Sequence, residues 1–289
     1  MRFLFVGWGS DYHRIELEEL LKKDNIQHVT IPRLFKTFSR IFKNFSKNLY
    51  HDINSLYLMV TAISKDDVII LQDGLKYSLI LKFRPDKTFV IFRNTVDSNN
   101  QHLLSSRISF TFDPIDAKKH SMILYNQYIP SIDYLREKRP CISYDIAFVG
   151  LRKGREETLE ALQKLLIKHQ ILVDFVDSNI YSYDEYIRRQ YSAKVIIELG
   201  KANQSGPSMR AIEALALGRK IITNNYNLKS IFSFAEENIF VTDKNTSEAD
   251  LDNFIQSEFS PIPEDDIRQF ESRYVLNEIL KIIKREIEN

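Results

Sequence analysis

The chain has 289 residues, of which 44% are hydrophobic and 12% aromatic, and its 40 lysines and arginines nearly balance its 39 acidic residues. This length allows one large domain or two of ordinary size with substantial cores. The formal net charge of +1 disfavours a nucleic-acid-binding module, so any anion site must be local. A single cysteine, Cys141, indicates a reducing compartment such as the cytoplasm. Because no apolar run suits a signal peptide or a membrane span, we expect a soluble protein.

The first half of the chain alternates short apolar runs with stretches of helical periodicity. The strands predicted in this half are residues 2–6, 28–31, 68–71, 88–92 and 108–112. Residues 126–144 then break the alternation with Pro130 and Pro140, and we predict that they connect two domains.

A basic stretch, residues 33–48, departs from this pattern. Its apolar residues recur every three or four positions, which predicts an amphipathic helix; they are Phe35, Phe38, Phe42, Phe45 and, just beyond, Leu49. No acidic residue accompanies its cations, which are Arg33, Lys36, Arg40, Lys43 and Lys47. Such a helix suits an anionic membrane surface. The alternative is a helix that packs its phenylalanines on the sheet of the first domain and leaves its cations in water.

The second half of the chain repeats the alternation. Its predicted strands are residues 145–149, 171–176, 195–199, 220–223 and 239–241. Its predicted helices are residues 155–169, 184–192 and 207–217, and a helical tail covers residues 267–287. Such alternation predicts α/β architecture, with two Rossmann-like domains that face each other across a cleft. Ligands of parallel sheets bind beyond the carboxyl ends of the strands.

The loop after the first strand of the second half carries three cations at a predicted helix start. Gly150 allows a tight turn, and Arg152, Lys153 and Arg155 follow it. Cations at the N-terminus of a helix are unfavourable, so a bound anion would account for them. The alternative is solvated surface charge, which the two glutamates that follow would offset.

Residues 195–225 predict a strand, a loop, a helix and a second strand, which together form a βαβ unit. Pro207 suits the first helical position, and Gly218 suits the C-terminal cap. Free N–H groups and the positive end of the helix dipole then face the loop that ends at Gly206. This loop could therefore hold an anion.

Two charged residues on this helix extend the anion hypothesis. Arg210, in the first turn, could add a guanidinium contact to a phosphate. Glu213 follows Pro207 by six residues, or roughly 9 Å of helix, which is about the distance from a diphosphate to the ribose of the same nucleotide. A carboxylate there can accept hydrogen bonds from both ribose hydroxyls. The alternative is an Arg210–Glu213 pair on a solvated helix face.

The segment around this helix resembles the donor-binding segment of GT-B glycosyltransferases that build lipopolysaccharide core, capsular and O-antigen sugars. These enzymes carry the pattern QSG-x-(S/T)-M-R-x-I-E-A-L…G-x-K-x-I-T-x-N. The matching residues here are Gln204, Ser205, Gly206, Met209, Arg210, Glu213, Ala214, Leu215, Gly218, Lys220, Thr223 and Asn224. The related glycosyltransferase family 4 pattern has two glutamates separated by seven residues. Glu213 matches the second, which binds the ribose, and Ser205 stands in place of the first.

The resemblance, which covers about residues 145–245, implies a GT-B fold. An acceptor-side domain would span residues 1–130, a nucleotide-sugar-binding domain would span 141–270, and a helix at 271–289 would pack back on the first domain. It implies a metal-independent transferase that needs no cofactor and takes a nucleotide sugar and a glycan or glycolipid acceptor, in lipopolysaccharide or capsule biosynthesis. The chain shows no convincing Asp-x-Asp motif and no metal-ligand spacing of histidines. We expect a cytoplasmic protein that can lie on the inner membrane.

The same resemblance assigns site residues. The donor-binding set is Gly150, Arg152, Lys153, Gln204, Ser205, Gly206, Ser208, Met209, Arg210 and Glu213. In such enzymes the loop after the first strand, here residues 7–11, faces the acceptor. Asp11 or His13 could then act as the general base of an inverting transfer, although Asp11 could instead cap the following helix. Further candidates at strand ends are Asp73, Asp97 and His102.

Two other functions remain open at this point. One is a sugar-nucleotide epimerase on the same scaffold, although this activity would need acids and a histidine around the sugar and the second half is poor in histidine. The other is a non-catalytic glycan-binding or assembly protein with a degenerate donor site, which the serine at position 205 keeps open.

Overall fold

A computed structural model describes residues 1–43, 46–73, 78–152, 154–176, 181–201 and 204–288. The chain divides into two compact units. Unit 1 comprises Met1–Asn126 and Leu276–Asn289, and unit 2 comprises Gln127–Val275. Each unit contains one parallel β-sheet with helices. The predicted α/β class with two Rossmann-like parts is therefore confirmed.

Unit 1 is built on a six-stranded parallel sheet. In chain order its strands are β1 (Phe3–Val6), β2 (Ile26–Val29), β3 (Val68–Gln72), β4 (Thr88–Phe92), β5 (Ile108–Thr111) and β6 (Ile123–Leu124). Its helices are α1 (Asp11–Leu17), α2 (Arg33–Lys43), α3 (Lys47–Thr61), α4 (Ser78–Phe83) and α5 (Pro114–His120). The strands lie in the order β2-β1-β3-β4-β5-β6.

The central strands of this sheet are buried on both faces. Every residue of β1 and of β4 is buried, and so are the four apolar residues of β3. A strand that contacts helices on both faces needs apolar side chains in both directions, which explains continuous runs instead of alternation. The sheet grows from β1 to β2 on one side and from β3 to β6 on the other, so the direction of strand addition reverses between β1 and β3.

Unit 2 is built on a five-stranded parallel sheet. Its strands are β7 (Tyr144–Gly150), β8 (Ile171–Phe175), β9 (Ala193–Glu198), β10 (Lys220–Thr223) and β11 (Ile239–Val241). Its helices are α6 (Ile132–Glu137), α7 (Glu156–Leu165), α8 (Tyr183–Gln190), α9 (Met209–Ala216), α10 (Leu228–Ile231), α11 (Glu248–Gln256) and α12 (Glu264–Arg268). The strand order is β11-β10-β9-β7-β8, so the direction of strand addition reverses between β7 and β9.

The last helix, α13 (Ser272–Glu288), begins in unit 2, and its residues from Leu276 onward belong to unit 1. Within unit 1, Leu276 and Ile283 are fully buried, and Lys23 Nζ donates to Asn277 Oδ1 at 2.7 Å. The C-terminal end of the chain thus contributes to the core of the N-terminal unit.

The predicted interdomain stretch belongs to unit 2 from Gln127 onward. Ile132 and Leu135 of α6 are fully buried in the same apolar cluster as α9. The backbone N–H of Ile132 donates to Glu271 Oε1 at 2.9 Å, which fixes the start of α6. The change from unit 1 to unit 2 thus falls at the start of the predicted stretch, and its prolines flank a helix of unit 2.

The basic stretch 33–48 forms two helices where the sequence predicted one. α2 ends at Lys43, and Ser46 caps α3 by accepting a hydrogen bond from the backbone N–H of Leu49 at 3.4 Å. The apolar spacing continues through this break, so the period alone could not reveal it. Phe45 lies outside the described residues.

Candidate functional site

In open parallel sheets, ligands bind beyond the carboxyl ends of the strands where the direction of strand addition reverses. In unit 2 this switch point lies between β7 and β9, which are hydrogen-bonded neighbours. Gly150 is the last residue of β7 and the predicted cations follow it, and the loop after β9 leads into α9. The two segments that the sequence selected therefore lie side by side.

Gly150 and Arg210 are in direct contact. Arg210 Nη2 donates to the carbonyl oxygen of Val149 at 3.1 Å, and its guanidinium lies 5.2 Å from the ring centre of Phe148. A Cβ atom on residue 150 would lie 2.8 Å from Arg210 Nη2. The φ angle of Gly150 is not positive. The glycine thus leaves the space that the Arg210 guanidinium occupies, and it does not form the tight turn that the sequence predicts.

Arg155 is the second cation at this position. Burial, and then the positive charge of Arg210, lower the pKa of Arg155, while Glu198 acts in the opposite direction. Burial also lowers the pKa of Arg210. Tyr186, Tyr191 and Glu198 together have the larger effect, so the pKa of Arg210 is raised. Arg155 Nη1 donates to the carbonyl oxygen of Leu151 at 3.2 Å, two residues beyond the Val149 carbonyl that Arg210 contacts, so both half-buried guanidinium groups lie at the end of β7. Like charges in such a site favour a bound anion.

Several buried polar atoms at this site have no hydrogen-bond partner among the described residues. Three are donors, namely Arg155 Nε, Arg210 Nε and the hydroxyl of Ser208. The fourth is the acceptor Glu198 Oε1, whose companion Oε2 accepts from Thr223 Oγ1 at 2.7 Å. Unpaired buried polar atoms are costly and call for a missing partner. Two cations with unpaired Nε atoms, together with the unpaired Ser208 hydroxyl, indicate an anion as that partner.

Another predicted cation of this loop, Arg152, lies against the end of β8. Arg152 is exposed, and its guanidinium lies 4.4 Å from the ring centre of Phe175 at the end of β8. Lys153 lies outside the described residues. Arg155 is one of the three cations at the predicted helix start but is not among the predicted donor-binding residues. Its position at the N-cap of α7 was the available signal, because an N-cap residue lies at the mouth of the loop.

The start of α9 differs from the prediction. Ser208, with φ −84° and ψ 163°, is the N-cap, and Pro207 lies outside the helix. Serine is among the preferred N-cap residues, and its extended backbone begins the helix two residues later than predicted. The predicted cap at Gly218 is confirmed, since its φ is +65°. Backbone bonds from Gly218 to Leu215 (3.1 Å) and from Arg219 to Ala214 (2.8 Å) close the helix there.

The loop before α9 is held by two asparagines that follow β10. Asn224 Oδ1 accepts from the backbone N–H of Gly200 at 3.0 Å. Asn225 Nδ2 donates to the carbonyl oxygens of Ser205 and Gly206 at 3.2 and 3.3 Å. The predicted donor residue Gln204 also donates to the Gly206 carbonyl, at 3.2 Å. Asn225 was missed, because a scaffold role for a loop residue requires knowledge of which loops meet.

Two further predicted donor residues lie on α9. Met209 is half-buried and packs against the main apolar cluster of unit 2. Glu213 is 1% exposed, so it does not lie on the solvated helix face that was considered as its alternative position. Its carboxylate accepts hydrogen bonds from the hydroxyls of Tyr183, at 2.5 Å, and Tyr191. Its predicted ribose contact stays a prediction.

The corresponding switch point of unit 1 lies between β1 and β3 and contains the predicted general bases. Ser10 is the N-cap of α1, so Asp11 is not the cap; it is exposed in the first turn. His13 is 3% exposed. Its Nδ1 accepts from the backbone N–H of Ser10 at 3.2 Å, and its Nε2 lies 3.1 Å from Gln72 Nε2. Asp11 is thus open to solvent, whereas His13 supports the loop.

A buried ion pair and a perturbed carboxyl lie at the same switch point. Arg93 donates to both oxygens of Glu16 at 2.9 and 3.1 Å. Asp73, directly after β3, accepts from the backbone N–H groups of Arg93 at 2.9 Å and of Asn94 at 3.1 Å, and from Asn94 Nδ2 at 3.0 Å. Burial raises the pKa of Asp73 to about 6 in spite of these bonds.

The predicted membrane-facing cations lie on α2 and α3. Arg33, Lys36, Arg40 and Lys43 are exposed along α2. Phe35 instead stacks on Tyr57 of α3, with ring centres 4.0 Å apart. The backbone of Lys47 begins α3, and its side chain lies outside the described residues.

Comparison with known proteins gives a fold and no sequence family. No protein-family model and no curated protein matches the sequence. Among solved structures, AviGT4, a glycosyltransferase involved in avilamycin A biosynthesis, matches 100% of this chain and 98% of its own, with a TM-score of 0.59 and 10% identity. A trehalose-6-phosphate synthase matches 100% and 97%, with a TM-score of 0.61 and 10% identity. The fold is GT-B.

The GT-B fold is also shared by an epimerase. The UDP-GlcNAc 2-epimerase of Methanocaldococcus jannaschii matches 97% of this chain and 99% of its own, with a TM-score of 0.56 and 12% identity. At such identities the likeness establishes the fold alone. Among the described residues, no cluster of three or more histidines, cysteines or acids could hold a metal ion. None of the described helices has the length and apolarity required to cross a bilayer.

Proposed function

We propose that this chain is a glycosyltransferase that moves a sugar from a nucleotide-sugar donor to a lipid-linked or oligosaccharide acceptor. The observation that carries the proposal is that Arg155 and Arg210 both bond to backbone carbonyls at the end of β7, while the Nε atom of each and the Ser208 hydroxyl have no partner among the described residues. The resemblance of residues 204–224 to lipopolysaccharide and capsule transferases supports a role in bacterial surface polysaccharide biosynthesis, on the cytoplasmic side of the inner membrane. The full-length likeness to GT-B glycosyltransferases is consistent with it.

The reaction breaks the bond between the anomeric carbon of the sugar and the oxygen of the terminal phosphate. Negative charge then develops on the departing diphosphate. Arg155, Arg210 and the Ser208 hydroxyl can donate hydrogen bonds to that charge, and preorganised donors act most strongly on the transition state. We propose that these guanidinium groups neutralise the leaving group without a metal ion.

The acceptor supplies a hydroxyl oxygen that forms the new bond to the anomeric carbon, and its proton must leave. In an inverting transfer, the exposed carboxylate of Asp11 would accept this proton. Asp73, with a pKa of about 6, is a second carboxyl at the same switch point. His13 is the weaker choice for this role, because it is 3% exposed and both ring nitrogens have polar neighbours.

Glu213 is proposed to bind the ribose of the donor. Its Oε1 now accepts from Tyr183, which is only half-buried at the start of α8. A ribose hydroxyl could replace the tyrosine hydroxyl as the donor to this oxygen with no loss of hydrogen bonds. Glu213→Gln would then weaken nucleotide binding.

Thermal shift with a panel of nucleotides and nucleotide sugars tests the donor site. A ligand at a hundred times its Kd should stabilise the fold by about 2.7 kcal/mol. The wild type should respond to one nucleotide series, and Arg210→Lys should lose most of that response. Arg188→Gln, which removes an exposed arginine from the same unit, should keep it. No response of the wild type to any member of the panel would contradict the proposal.

Product analysis separates the transferase from the epimerase, the second candidate, which the full-length likeness to the 2-epimerase favours. With the responding nucleotide sugar and a cell-envelope glycan fraction, a transferase releases free nucleotide in proportion to acceptor. An epimerase converts the nucleotide sugar to its isomer without acceptor. Nucleotide binding with neither product would leave a non-catalytic binding protein.

A further inference from the structure

An exposed apolar stripe runs along α2 in unit 1. Leu34, Phe38 and Ile41 are 87%, 55% and 56% exposed. Their spacing of four and three residues places them on one side of the helix. The apolar spacing predicts a stripe of phenylalanines, but Phe35 stacks on Tyr57 of α3, and among the described phenylalanines of α2 only Phe38 is exposed.

A second exposed stripe runs along α3. Leu49, Leu56 and Val60 are 42%, 53% and 76% exposed, and their spacing of seven and four residues also places them on one side. The six side chains on the two helices are called the apolar hairpin face below. Monomeric proteins rarely expose contiguous apolar side chains in such numbers without a binding role.

The stacked pair Phe35–Tyr57 defines how the two stripes are oriented. Its ring centres are 4.0 Å apart, with 26° between the ring planes, so these residues mark the contact line of the two helices. Successive residues of an α-helix lie about 100° apart around its axis, so each stripe lies roughly 90° around its own helix from this contact line. Viewed along each helix from its N-terminus, the direction of this rotation is the same for both. Consecutive packed helices with a short connection run antiparallel, which brings both stripes to the same side of the hairpin.

The charge of the hairpin is strongly positive. No acidic residue occurs between Asp24 and Asp52, although the whole chain has a net charge of only +1. The exposed cations of α2 are Arg33, Lys36, Arg40 and Lys43, and none of them forms an ion pair with any described residue. An apolar face beside unpaired cations complements a surface that is apolar inside and anionic at its edge.

We propose that the apolar hairpin face docks into the interfacial region of an anionic phospholipid bilayer. Anionic headgroups satisfy the cations, and the acyl boundary takes the apolar side chains. A neutral apolar partner would leave the cations unmatched. The proposal does not depend on the donor chemistry of unit 2, since vesicle binding needs no nucleotide.

The cations of α2 are not equivalent in this arrangement. Arg33 and Arg40 lie roughly 110° around the helix from the centre of the apolar stripe, and Lys36 and Lys43 lie roughly 170° from it. Long arginine stems can reach headgroups from the flank of a docked helix. The two lysines lie on the far side of the helix, about one Debye length away from the surface, where the attraction is screened.

Flotation of the full chain with phosphatidylcholine vesicles containing about a third phosphatidylglycerol tests the proposal. The wild type should float with these vesicles and much less with phosphatidylcholine alone. The triple variant Leu34→Ser/Phe38→Ser/Ile41→Ser should lower the partition coefficient at least about tenfold. The control Ile115→Ser/Leu124→Ser/Ile167→Ser removes side chains that are 52%, 53% and 78% exposed elsewhere and should bind as the wild type does.

A pair of charge variants on one helix tests the orientation. Arg33→Gln/Arg40→Gln should weaken vesicle binding several-fold more than Lys36→Gln/Lys43→Gln, although both remove two cations. Equal effects would overturn the proposed orientation. Absence of wild-type binding to the anionic vesicles, or wild-type binding by the apolar triple variant, would overturn the membrane proposal itself.

Two further measurements distinguish membrane docking from self-association and from damage to unit 2. If lipid-free protein dimerises in sedimentation experiments and the apolar triple variant abolishes the dimer, the face binds a second copy and the membrane proposal fails. The triple variant should keep the nucleotide response of the wild type in thermal shift. This response separates a failure of membrane docking from a failure of the proposed glycosyl transfer.

Discussion

The two units place charged residues at equivalent points of their sheets but treat them differently. At the switch point of unit 1, Arg93 pairs with Glu16 through two hydrogen bonds, and Asp73 accepts three. At the switch point of unit 2, Arg155 and Arg210 lie close together, and the Nε atom of each has no partner among the described residues.

The difference between the two switch points indicates which of them needs a ligand. Buried charge that is paired internally stabilises a unit and requires nothing further, whereas two cations without a full complement of acceptors gain most from an added anion. The same type of sheet edge thus serves as a structural support in unit 1 and as a candidate anion site in unit 2. The predictions below separate these two roles.

Loss of the buried ion pair in unit 1 should have the largest effect. Arg93→Met leaves the Glu16 carboxylate buried and unpaired, and we expect a loss of about 3–5 kcal/mol in the free energy of unfolding. Urea denaturation followed by circular dichroism measures it. The double variant Glu16→Leu/Arg93→Met should recover much of the loss, and a double variant no more stable than Arg93→Met would contradict a dominant role for the unpaired charge.

Loss of a cation in unit 2 should act on binding and not on stability. Arg155→Met removes a buried charge beside Arg210, so the ligand-free protein should be as stable as the wild type or slightly more stable. Affinity for the responding nucleotide should fall about tenfold to a hundredfold, because a charge-assisted hydrogen bond contributes about 1.5–3 kcal/mol.

Arg152→Met is the matched control for this prediction, since it removes an exposed cation from the same loop. We expect a smaller loss of affinity, measured by the same titration. The reverse order of the two variants would show that Arg152 and not Arg155 holds the phosphates.

Filling the space at Gly150 should have an intermediate effect. Gly150→Ala places a Cβ atom 2.8 Å from Arg210 Nη2 and forces the guanidinium to move. Because Nη2 is the end of a flexible side chain, the cost in stability should be about 1 kcal/mol, the low end for overpacking, and the displaced guanidinium should weaken nucleotide binding. Gly9→Ala, at the switch point of unit 1, meets no atom within 4 Å and should be close to neutral in both thermal stability and binding.

The pH dependence of Asp73 should give the smallest effect. Its folded pKa of about 6 exceeds the ordinary value of 3.8, so the folded state prefers the protonated carboxyl. The contribution of the Asp73 carboxyl to the free energy of unfolding is therefore fully present below about pH 4, where the carboxyl is protonated, and is lost as the pH rises through 6. Asp73→Asn should gain about 1 kcal/mol relative to the wild type between these limits, after allowance for solvent exposure. Urea denaturation at several pH values between 4 and 6 measures this gain. A difference between the variant and the wild type that stays constant over this pH range would contradict the raised pKa.

Much of the fold could be predicted because its signals are local. Continuous apolar runs marked the central strands of both sheets, and Gly218 marked the end of α9. β6 has only two residues, which is too short for any period to show. The break between α2 and α3 was invisible because the apolar spacing continues across it. The start of α9 was ambiguous, because Pro207 and Ser208 are both common at helix starts.

The candidate site could be predicted by position but not by contact. The sequence placed Arg155 and Arg210 at the starts of two helices that follow parallel strands, and topology brings such helix starts together. The sequence could not show that Arg155 lies beside Arg210 while Arg152 lies on Phe175. Nor could it pair Glu16 with Arg93, because these residues are 77 positions apart and nothing local links them.

Isothermal titration calorimetry with a panel of nucleoside diphosphates is the most direct test of an anion site at the switch point of unit 2. One of them should bind the wild type, and its nucleoside without phosphates should not. The double variant Arg155→Met/Arg210→Met should lose this binding while the protein stays folded. Absence of binding by every diphosphate, or equal affinity of the wild type and the double variant, would contradict an anion site at the switch point of unit 2.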